Sequence, residues 1–321
     1  MRTSQTRKGL LVLSNKAVEE CLKTMSPMKI CEGQSRVFRE LSAKRCQSLP
    51  NASSQSHDQD AVVIDNPQRL VLGLPEHAGL FMPARFGSTT TCKIVGVPTS
   101  SNAPPGLPGS TVLLDPHTAK VKALLDASNL TALRTAAGSM LATMLYKPVE
   151  SSSDPLRAVI FGGGRQAFYH AWMLAKLYGT RLTNVTFVTR RPLLETELPS
   201  ISAAMDVEEG SRDGSSMVRV EHLLASGVTN AEDTGRELRE ADIVCCCTPS
   251  TRPLFRYADL KQGAHLNLIG SYKPFMQEVE PEVIQKALAN EQLVADSIDA
   301  CCESCIPLYS LTAACTMAKE C

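Results

Sequence analysis

The chain lacks the features that mark several common classes of protein. Its 33 lysine and arginine residues balance its 33 aspartate and glutamate residues, so the formal net charge is zero. This balance favours neither nucleic acid nor an anionic membrane surface as a partner. No apolar run reaches the roughly 18 residues that a membrane-spanning helix needs, and the run at residues 9–13 is too short for the core of a signal peptide. We therefore expect a cytoplasmic protein.

Histidine and tryptophan are also scarce, with six residues and one residue respectively. His117, His170 and His265 show no metal-ligand spacing, and we interpret them as structural or surface residues. Trp172 falls on a predicted helix, where packing is its more common role.

Cysteine is more abundant, with twelve residues. Cys245, Cys246 and Cys247 stand together inside an apolar strand pattern, which is typical of a reducing compartment. Near the C-terminus, Cys302 and Cys305 have the Cys-x-x-Cys spacing, but a zinc site needs a second pair of ligands. We interpret these cysteines as free thiols and predict no metal site.

One short segment carries the strongest signal in the sequence. Residues 157–167 run Arg-Ala-Val-Ile-Phe-Gly-Gly-Gly-Arg-Gln-Ala, so an apolar strand leads into a glycine turn and then into a predicted helix through Tyr178. Gly162 allows a tight turn, Gly164 lets the backbone approach phosphates closely, and Ala167 is the third small position of the dinucleotide-binding pattern. Amide groups at the start of the helix would point at the pyrophosphate. This order of elements predicts a dinucleotide-binding fold.

Strands and helices alternate in the second half of the chain. Strands are predicted at residues 158–161, 185–189, 242–248, 265–269 and 293–295. Such alternation produces a parallel sheet with helices on both faces, so we predict an α/β protein with a Rossmann-type doubly wound sheet. A break at residues 147–155, with two prolines and a serine cluster, places the Rossmann domain at residues 149–321.

The first half of the chain predicts a smaller α+β domain over residues 1–148. A short strand at residues 10–13 precedes a helix that begins near Asn15, and residues 48–60 form a polar loop. Later strands are predicted at residues 61–64, 69–73, 78–82, 90–97 and 109–114. A helix at residues 129–146 ends the domain.

The residues after the second strand of a dinucleotide fold select between the two nicotinamide cofactors. An acidic residue there accepts hydrogen bonds from the ribose 2′-hydroxyl of NAD(H) and repels the 2′-phosphate of NADP(H). This chain has Thr189, Arg190 and Arg191 instead. Two guanidinium groups can bind a phosphate through paired, charge-assisted hydrogen bonds. We therefore predict NADP(H) in preference to NAD(H); the alternative is that the arginines are solvated surface residues.

Four segments together resemble the ornithine cyclodeaminase and mu-crystallin family. They are Leu-Arg-Thr-Ala-Ala at residues 133–137, Phe-Gly-Gly-Gly-Arg-Gln-Ala at 161–167, Ala-Asp-Ile-Val-Cys-Cys-Cys-Thr-Pro-Ser at 241–250 and Gly-Ala-His-Leu-Asn-Leu-Ile-Gly at 263–270. The resemblance extends from about residue 12 to residue 297. It implies a substrate-binding and dimerisation domain before the Rossmann domain, a homodimer, and a small imino or amino acid held beside the nicotinamide.

The resemblance also implies roles for individual residues. Arg69 and Arg134 resemble the arginines that bind the substrate carboxylate, and Lys93 resembles the active-site lysine. The positions that the resemblance and the glycine pattern assign to the cofactor are Gly162, Gly164, Arg165, Gln166, Thr189, Arg190, Arg191 and Thr248.

The surroundings of two basic residues support these roles independently. Lys93 lies in an apolar strand pattern and Arg134 in an otherwise uncharged helix, where a charge costs free energy unless it is paired. An α-carboxylate ligand would supply the partner. The alternatives are an internal ion pair or a side chain that reaches solvent.

Two parts of the chain depart from the family pattern. Cyclodeaminases carry an aspartate, the general base of ornithine deamination, two positions after the glycine that matches Gly270, and this chain has Tyr272 there. A tyrosine with an ordinary pKa near 10 is a poor base at neutral pH, which favours the branch of the family that reduces cyclic ketimines. Residues 301–308 do not match the C-terminal segment that returns to the first domain in the family, so we expect that segment to be missing or replaced.

These observations lead to one expected activity and two alternatives. We expect NADP(H)-dependent reduction of a C=N bond next to a carboxylate, in a small cyclic imino acid such as pyrroline-2-carboxylate or piperideine-2-carboxylate. The proton donor stays open among Tyr272, a bound water and protonation of the imine in solution. The alternatives are a cyclodeaminase or amino-acid dehydrogenase with bound NAD, and a protein that binds NADPH and a small ligand without turnover.

Overall fold

The computed structural model describes residues 9–47, 63–100, 102–104, 106–150, 153–193, 218–225 and 228–295. The chain forms two compact units, Met1–Arg134 and Thr135–Cys321. The division after Arg134 falls within the helix Ser128–Tyr146. The domain boundary inferred from the sequence follows residue 148 and stays a prediction.

The described part of the first unit contains a mixed sheet of seven strands. Its strands are β1 (Leu11–Leu13), β2 (Ile64–Asp65), β3 (Leu70–Gly73), β4 (His77–Phe86), β5 (Thr89–Pro98), β6 (Gly109–Leu114) and β7 (Val121–Asp126). The order is β1-β7-β6-β5-β4-β2, and β3 also pairs with β4. Only the pairing of β1 with β7 is parallel among these described strands. The strands predicted at residues 69–73, 90–97 and 109–114 correspond to β3, β5 and β6.

Three helices accompany this sheet: α1 (Asn15–Lys23), α2 (Pro27–Gln47) and α3 (Ser128–Tyr146), which contains the unit boundary. Asn15 connects two of them to the sheet, because it donates to the Asp126 carboxylate at 3.1 Å and accepts from the Asn129 amide at 3.0 Å. Asp126 also accepts the Ser128 N–H at 2.9 Å, which satisfies a free donor at the start of α3. These bonds fix where α3 begins.

The described part of the second unit contains a sheet of five parallel strands. Its strands are β8 (Leu156–Phe161), β9 (Leu182–Thr189), β10 (Arg219–Leu224), β11 (Ile243–Cys246) and β12 (His265–Leu268). The order β10-β9-β8-β11-β12 reverses direction between β8 and β11, as in a Rossmann-type sheet. Ligands of such sheets bind beyond the carboxyl ends of the strands at this reversal. The predicted fold class is confirmed.

Helices α4 (Arg165–Tyr178), α5 (Val228–Glu240) and α6 (Pro281–Ala289) belong to the second unit. The small residues Ala167, Ala171 and Ala175 of α4 are completely buried, which allows close packing. A second cluster of buried residues contains Val159, Phe161, Val188, Leu238, Ala241, Val244, Cys246, Phe255, Val279, Val283 and Ile284. The central strands β8 and β11 are buried along almost their whole length, as expected for a sheet that is covered on both faces.

One predicted strand is wrong. Residues 293–295 form no strand, and their side chains are exposed, so no packing partner supports an extended conformation. The predicted loop at residues 48–60 and the departure at residues 301–308 lie outside the described residues. No helix in the described ranges has the length and apolar character to cross a membrane.

Candidate active site

The glycine turn after β8 lies at the reversal point of the parallel sheet. Gly162 has a φ of +112°, and a Cβ there would lie 2.8 Å from the carbonyl oxygen of Cys247. Any other residue would therefore meet both backbone strain and a close contact. The Gly162 N–H donates to the Val188 carbonyl oxygen and the Cys247 N–H donates to that of Phe161, each at 2.9 Å. The turn is thus joined to the ends of β9 and β11.

The first turn of α4 is open to an anion. Gly164 is the residue before the helix, no side chain caps it, and a Cβ built on it would have nothing within 4 Å. Gly163, Gly164 and Arg165 are exposed. The unpaired N–H groups and the dipole of a helix start favour a phosphate. The side-chain oxygen Oε1 of Gln166 is buried and has no hydrogen-bond partner among the described residues. These groups fit the phosphates and polar atoms of a dinucleotide.

His170 secures this turn from within the helix. Its Nδ1 lies 2.7 Å from the Gln166 carbonyl oxygen and its Nε2 lies 2.9 Å from the Ser139 hydroxyl. Burial lowers the pKa of His170 to about 4, so the ring is neutral at pH 7. Nδ1–H then donates to the carbonyl and Nε2 accepts from the hydroxyl. The structural role inferred for His170 from the sequence is confirmed.

Thr189, Arg190 and Arg191 follow the carboxyl end of β9. The Thr189 hydroxyl donates to the Arg191 carbonyl oxygen, so His222, whose Nε2 lies 2.7 Å away, must be the donor to Thr189. Thr189 therefore positions the backbone of Arg191 through its hydroxyl. Both arginine residues are exposed, and residues 189–193 contain no acidic residue.

The segments after β11 and β12 converge on a residue that the sequence analysis missed. Glu278 is 1% exposed, and its Oε1 accepts from the Thr248 N–H at 2.8 Å and the Thr248 hydroxyl at 3.1 Å. Its Oε2 accepts from the N–H groups of Gly270 at 2.8 Å and Ser271 at 3.1 Å. Burial raises the pKa of Glu278 to about 7, although these hydrogen bonds act in the opposite direction. Its sequence signal was weak, because Glu278 lies in the mixed segment Met276-Gln-Glu-Val-Glu280.

Tyr272 is the residue that the sequence analysis aligned with the general base of cyclodeaminases. It is 44% exposed, and partial burial raises its pKa. The ammonium group of Lys273 lies 5.7 Å from the centre of its ring. A neutral phenol with a raised pKa is a poor base at neutral pH.

The first unit brings the three basic residues of the sequence analysis close enough to interact. Lys93 on β5 is partly buried, whereas Arg69, before β3, and Arg134 on α3 are exposed. Burial first, and then the positive charges of Arg134 and Arg69, lower the pKa of Lys93 from 10.5 to about 8. Arg134 reaches solvent, which was one of the alternatives left open by the sequence, since an apolar helix can still present one residue to solvent. The assigned roles of the three residues stay predictions.

Thr111 is a second residue of this unit that the sequence analysis missed. It lies opposite Lys93 in the pairing of β5 with β6, so both side chains project from the same face. Thr111 is 7% exposed, and its hydroxyl has no hydrogen-bond partner among the described residues. A buried, unpaired hydroxyl costs about 1–3 kcal/mol. The sequence alone could not reveal this, because strand threonines are common and the pairing register is a long-range property.

Among the cysteines with described side chains, none forms a disulfide: Cys21, Cys31, Cys92, Cys245, Cys246 and Cys247. Within the described residues no cluster of histidine, cysteine, aspartate and glutamate side chains could hold a metal ion. Cys302 and Cys305 lie outside those residues.

Comparison with known proteins assigns the chain to a family. Residues 36–295 match the profile of the ornithine cyclodeaminase/mu-crystallin family. The chain belongs to this family. The ketimine reductase mu-crystallin of Rattus norvegicus is 29% identical over 228 residues, which cover 69% of this chain and 64% of the relative. The match thus spans less than two thirds of the relative's length. The resemblance inferred from the four sequence segments is confirmed.

Solved structures with the same fold include two with bound nicotinamide cofactors. An archaeal alanine dehydrogenase dimer with bound NAD has a TM-score of 0.67 and 18% identity, with 96% of this chain and 80% of that chain covered. The Delta(1)-pyrroline-2-carboxylate reductase of Thermococcus litoralis, in complex with NADH and L-proline, has a TM-score of 0.62 and 19% identity, with coverages of 86% and 74%. Similarity at these identities shows a common fold.

Proposed function

We propose that the protein is an oxidoreductase that reduces the C=N bond of a small cyclic imino acid with NADP(H). The observation that carries this proposal is the group of three cations, Arg69, Lys93 and Arg134, in the first unit. Burial and, as a smaller cause, the like charges of Arg134 and Arg69 lower the pKa of Lys93 to about 8. A bound carboxylate would relieve this repulsion and accept charge-assisted hydrogen bonds from ammonium and guanidinium groups. The group therefore supports a ligand that carries a carboxylate.

The second unit supports the cofactor half of the proposal. The Gly162 turn, the open start of α4 and the Oε1 atom of Gln166 would hold a dinucleotide. The exposed Arg190 and Arg191, in a segment whose described residues 189–193 contain no acidic residue, support NADP(H) over NAD(H). A bound nicotinamide supplies the hydride.

The reaction adds a hydride to the imine carbon and a proton to the imine nitrogen, while NADPH becomes NADP⁺. Arg69 and Arg134 would bind the carboxylate and so fix the position of the adjacent carbon. Lys93 would add positive charge, and a pKa of about 8 also suits a group that gives up a proton near neutral pH. We therefore add Lys93 to the candidate proton donors. Relatives named as ketimine and pyrroline-2-carboxylate reductases support the same class of reaction.

A direct test incubates the purified protein with NADPH or NADH and with five- and six-membered cyclic ketimine carboxylates. We expect loss of the absorbance of reduced nicotinamide and formation of the cyclic amino acid, with NADPH the better donor. Cofactor binding without turnover of any ketimine would instead indicate a binding protein. Release of ammonia and proline from ornithine would indicate a cyclodeaminase. Either result would overturn the proposal.

We also propose that the protein is a homodimer. Leu70, Val71 and Leu72 of β3 are 69%, 64% and 56% exposed, so this apolar strand presents both faces to solvent. Association with a second copy would cover it. Light scattering after gel filtration should give twice the mass of the chain, and a monomer at micromolar concentration would contradict this.

A further inference from the structure

Glu278 connects two segments at the edge of the sheet where we place the cofactor. Thr248 follows β11, and Gly270 and Ser271 follow β12. A Cβ on Gly270 would lie 1.9 Å from the Thr248 carbonyl oxygen and 2.5 Å from Glu278 Oε1, so the two segments and the carboxylate are in contact. We propose that Glu278 is a positioning residue for the dinucleotide, which holds both segments and sets the direction of the Thr248 hydroxyl. This inference rests on the proposed function.

The carboxylate determines what the Thr248 hydroxyl can do. An ionised carboxylate can only accept hydrogen bonds, so Thr248 donates its single hydroxyl hydrogen to Glu278 Oε1, 3.1 Å away. The Thr248 oxygen keeps its lone pairs and faces other partners as an acceptor. Its methyl group lies 3.4 Å from the position of a Cβ on Gly162, so the side chain stands beside the glycine turn. A ligand at this point must therefore donate, as a ribose hydroxyl or a carboxamide NH₂ does.

Protonation of Glu278 would reverse this arrangement. A proton on Oε1 would be donated to the Thr248 oxygen, and the threonine hydrogen would then be free to point elsewhere. The carboxyl group would also be a weaker acceptor for the N–H groups of Thr248, Gly270 and Ser271. Since burial raises the pKa of Glu278 to about 7, the change falls near neutral pH.

The described groups that act on Glu278 do not change their charge near pH 7, so a titration there belongs to Glu278. The titratable groups that act on it from β11 and the segment after it are the thiols of Cys246 and Cys247, and burial raises the pKa of both well above neutral. The segment after β12 contributes two N–H groups and the Ser271 hydroxyl at 3.5 Å, none of which titrates. The donors that face Glu278 are therefore uncharged across the neutral range.

The test measures the dissociation constants of NADH and NADPH by fluorescence between about pH 6 and about pH 9, on either side of the pKa of Glu278. For the wild-type protein we expect affinity to weaken up to about tenfold as the pH falls through 7. Glu278→Gln places an NH₂ donor against other donors, so it should bind about tenfold or more weakly at high pH and lose this pH dependence. The 2′-phosphate of NADPH titrates in both proteins, so the difference between them isolates Glu278.

Three further variants make the test specific. Glu280→Gln is the matched control, because the Glu280 carboxylate accepts a different N–H, that of Tyr257 at 2.7 Å, and its affinity and pH profile should equal those of the wild type. Thr248→Ser keeps the hydroxyl and loses the methyl group, so it should bind more tightly than Thr248→Val. Thr248→Val removes the hydroxyl and should bind more weakly.

The outcomes are distinct. Weak, pH-independent binding by Glu278→Gln supports the inference. A lower melting temperature with unchanged affinity and pH profile would overturn it and leave the proposed function in place. If Glu278→Gln does not fold, two other results can overturn the inference. One is a wild-type dinucleotide affinity that does not change with pH near 7. The other is equal binding by the two Thr248 variants. Failure of the wild-type protein to bind either dinucleotide overturns both proposals.

Discussion

Lys93 and Thr111 lie directly opposite each other on β5 and β6, and each carries a group that costs free energy without a ligand. The Thr111 hydroxyl is buried without a partner among the described residues. The Lys93 ammonium is partly buried near two arginines, and both effects lower its pKa. Because the two side chains project from one face, a single carboxylate could accept hydrogen bonds from both. Ligand binding would then remove the unfavourable free energy of the unpaired Thr111 hydroxyl and the partly buried Lys93 ammonium, and so would be stronger.

Replacement of Lys93 by methionine should therefore stabilise the unliganded protein and weaken ligand binding. The pKa of Lys93 is about 8 in the folded protein against an ordinary value of 10.5, so the folded state disfavours the charged form. Methionine keeps most of the apolar stem and removes the charge. We expect the free energy of unfolding at pH 7 to rise by about 1–3 kcal/mol, measured by urea denaturation. The affinity for a cyclic amino-acid product should fall at least about tenfold.

The lowered pKa of Lys93 also determines how stability and carboxylate affinity should change with pH. Between about pH 8 and pH 10.5 the folded state has lost the Lys93 proton and the unfolded state has kept it, so stability should rise with pH in the wild type. Over that range the affinity for a carboxylate should fall, because the ammonium loses its charge. Lys122→Met, at an exposed position on β7, is the control and should change neither quantity. A Lys93→Met protein that is less stable than the wild type at pH 7 would contradict this account.

Two glycines of the turn should respond differently to alanine. Gly162 combines a φ of +112° with a distance of only 2.8 Å between the position of an added Cβ and the Cys247 carbonyl oxygen, so Gly162→Ala should lose about 2–4 kcal/mol of stability. Gly164 has a φ of −92° and open space around its Cβ position. Gly164→Ala should keep its stability within about 0.5 kcal/mol.

Cofactor affinity separates these two variants. The Gly164→Ala methyl group would occupy the open space at the start of α4, so NADPH should bind at least about tenfold more weakly to a protein of normal stability. Isothermal titration and thermal melting of both variants provide the measurements. Wild-type affinity in Gly164→Ala would mean that phosphates do not approach this backbone.

The sequence predicted those elements whose signals are local. The end of α4 at Tyr178 and the whole of β6 agree with the prediction, because an apolar period and glycine or proline boundaries mark them. Helix α2 was missed, since its residues are mostly polar and its apolar pattern is irregular. A strand was wrongly predicted at residues 293–295, because a short apolar run there pairs with no described strand.

Those parts of the candidate site that lie in a sequence motif could be predicted. Those that depend on contacts between distant segments could not. The glycine turn was found from residue type and spacing, whereas Arg69, Lys93 and Arg134 were found through the resemblance to the family. Thr111 and Glu278 become notable only when the register of β5 with β6, or the meeting of two strand ends, surrounds them with particular neighbours. Neither contact is encoded within a short segment.

The choice of cofactor provides the last prediction. Arg190→Asp combined with Arg191→Ala should convert a preference for NADPH into a preference for NADH. The change removes two guanidinium groups, each worth about 1.5–3 kcal/mol as a charged donor, and adds a carboxylate that accepts from a ribose 2′-hydroxyl and repels a phosphate. The backbone should stay in place, because the Thr189 hydroxyl donates to the backbone carbonyl oxygen of Arg191, and the substitutions change only side chains.

We expect the NADPH dissociation constant of this double variant to rise at least about 100-fold, and the NADH constant to fall. In the wild type, added salt should weaken NADPH binding more than NADH binding, because only the former carries the extra phosphate charge. Arg219→Ala is the control, since this arginine on β10 has a 77% exposed side chain and stands outside the turn after β9. An unchanged preference for NADPH in the double variant would mean that the arginines are solvated surface residues, and another group would have to recognise the 2′-phosphate.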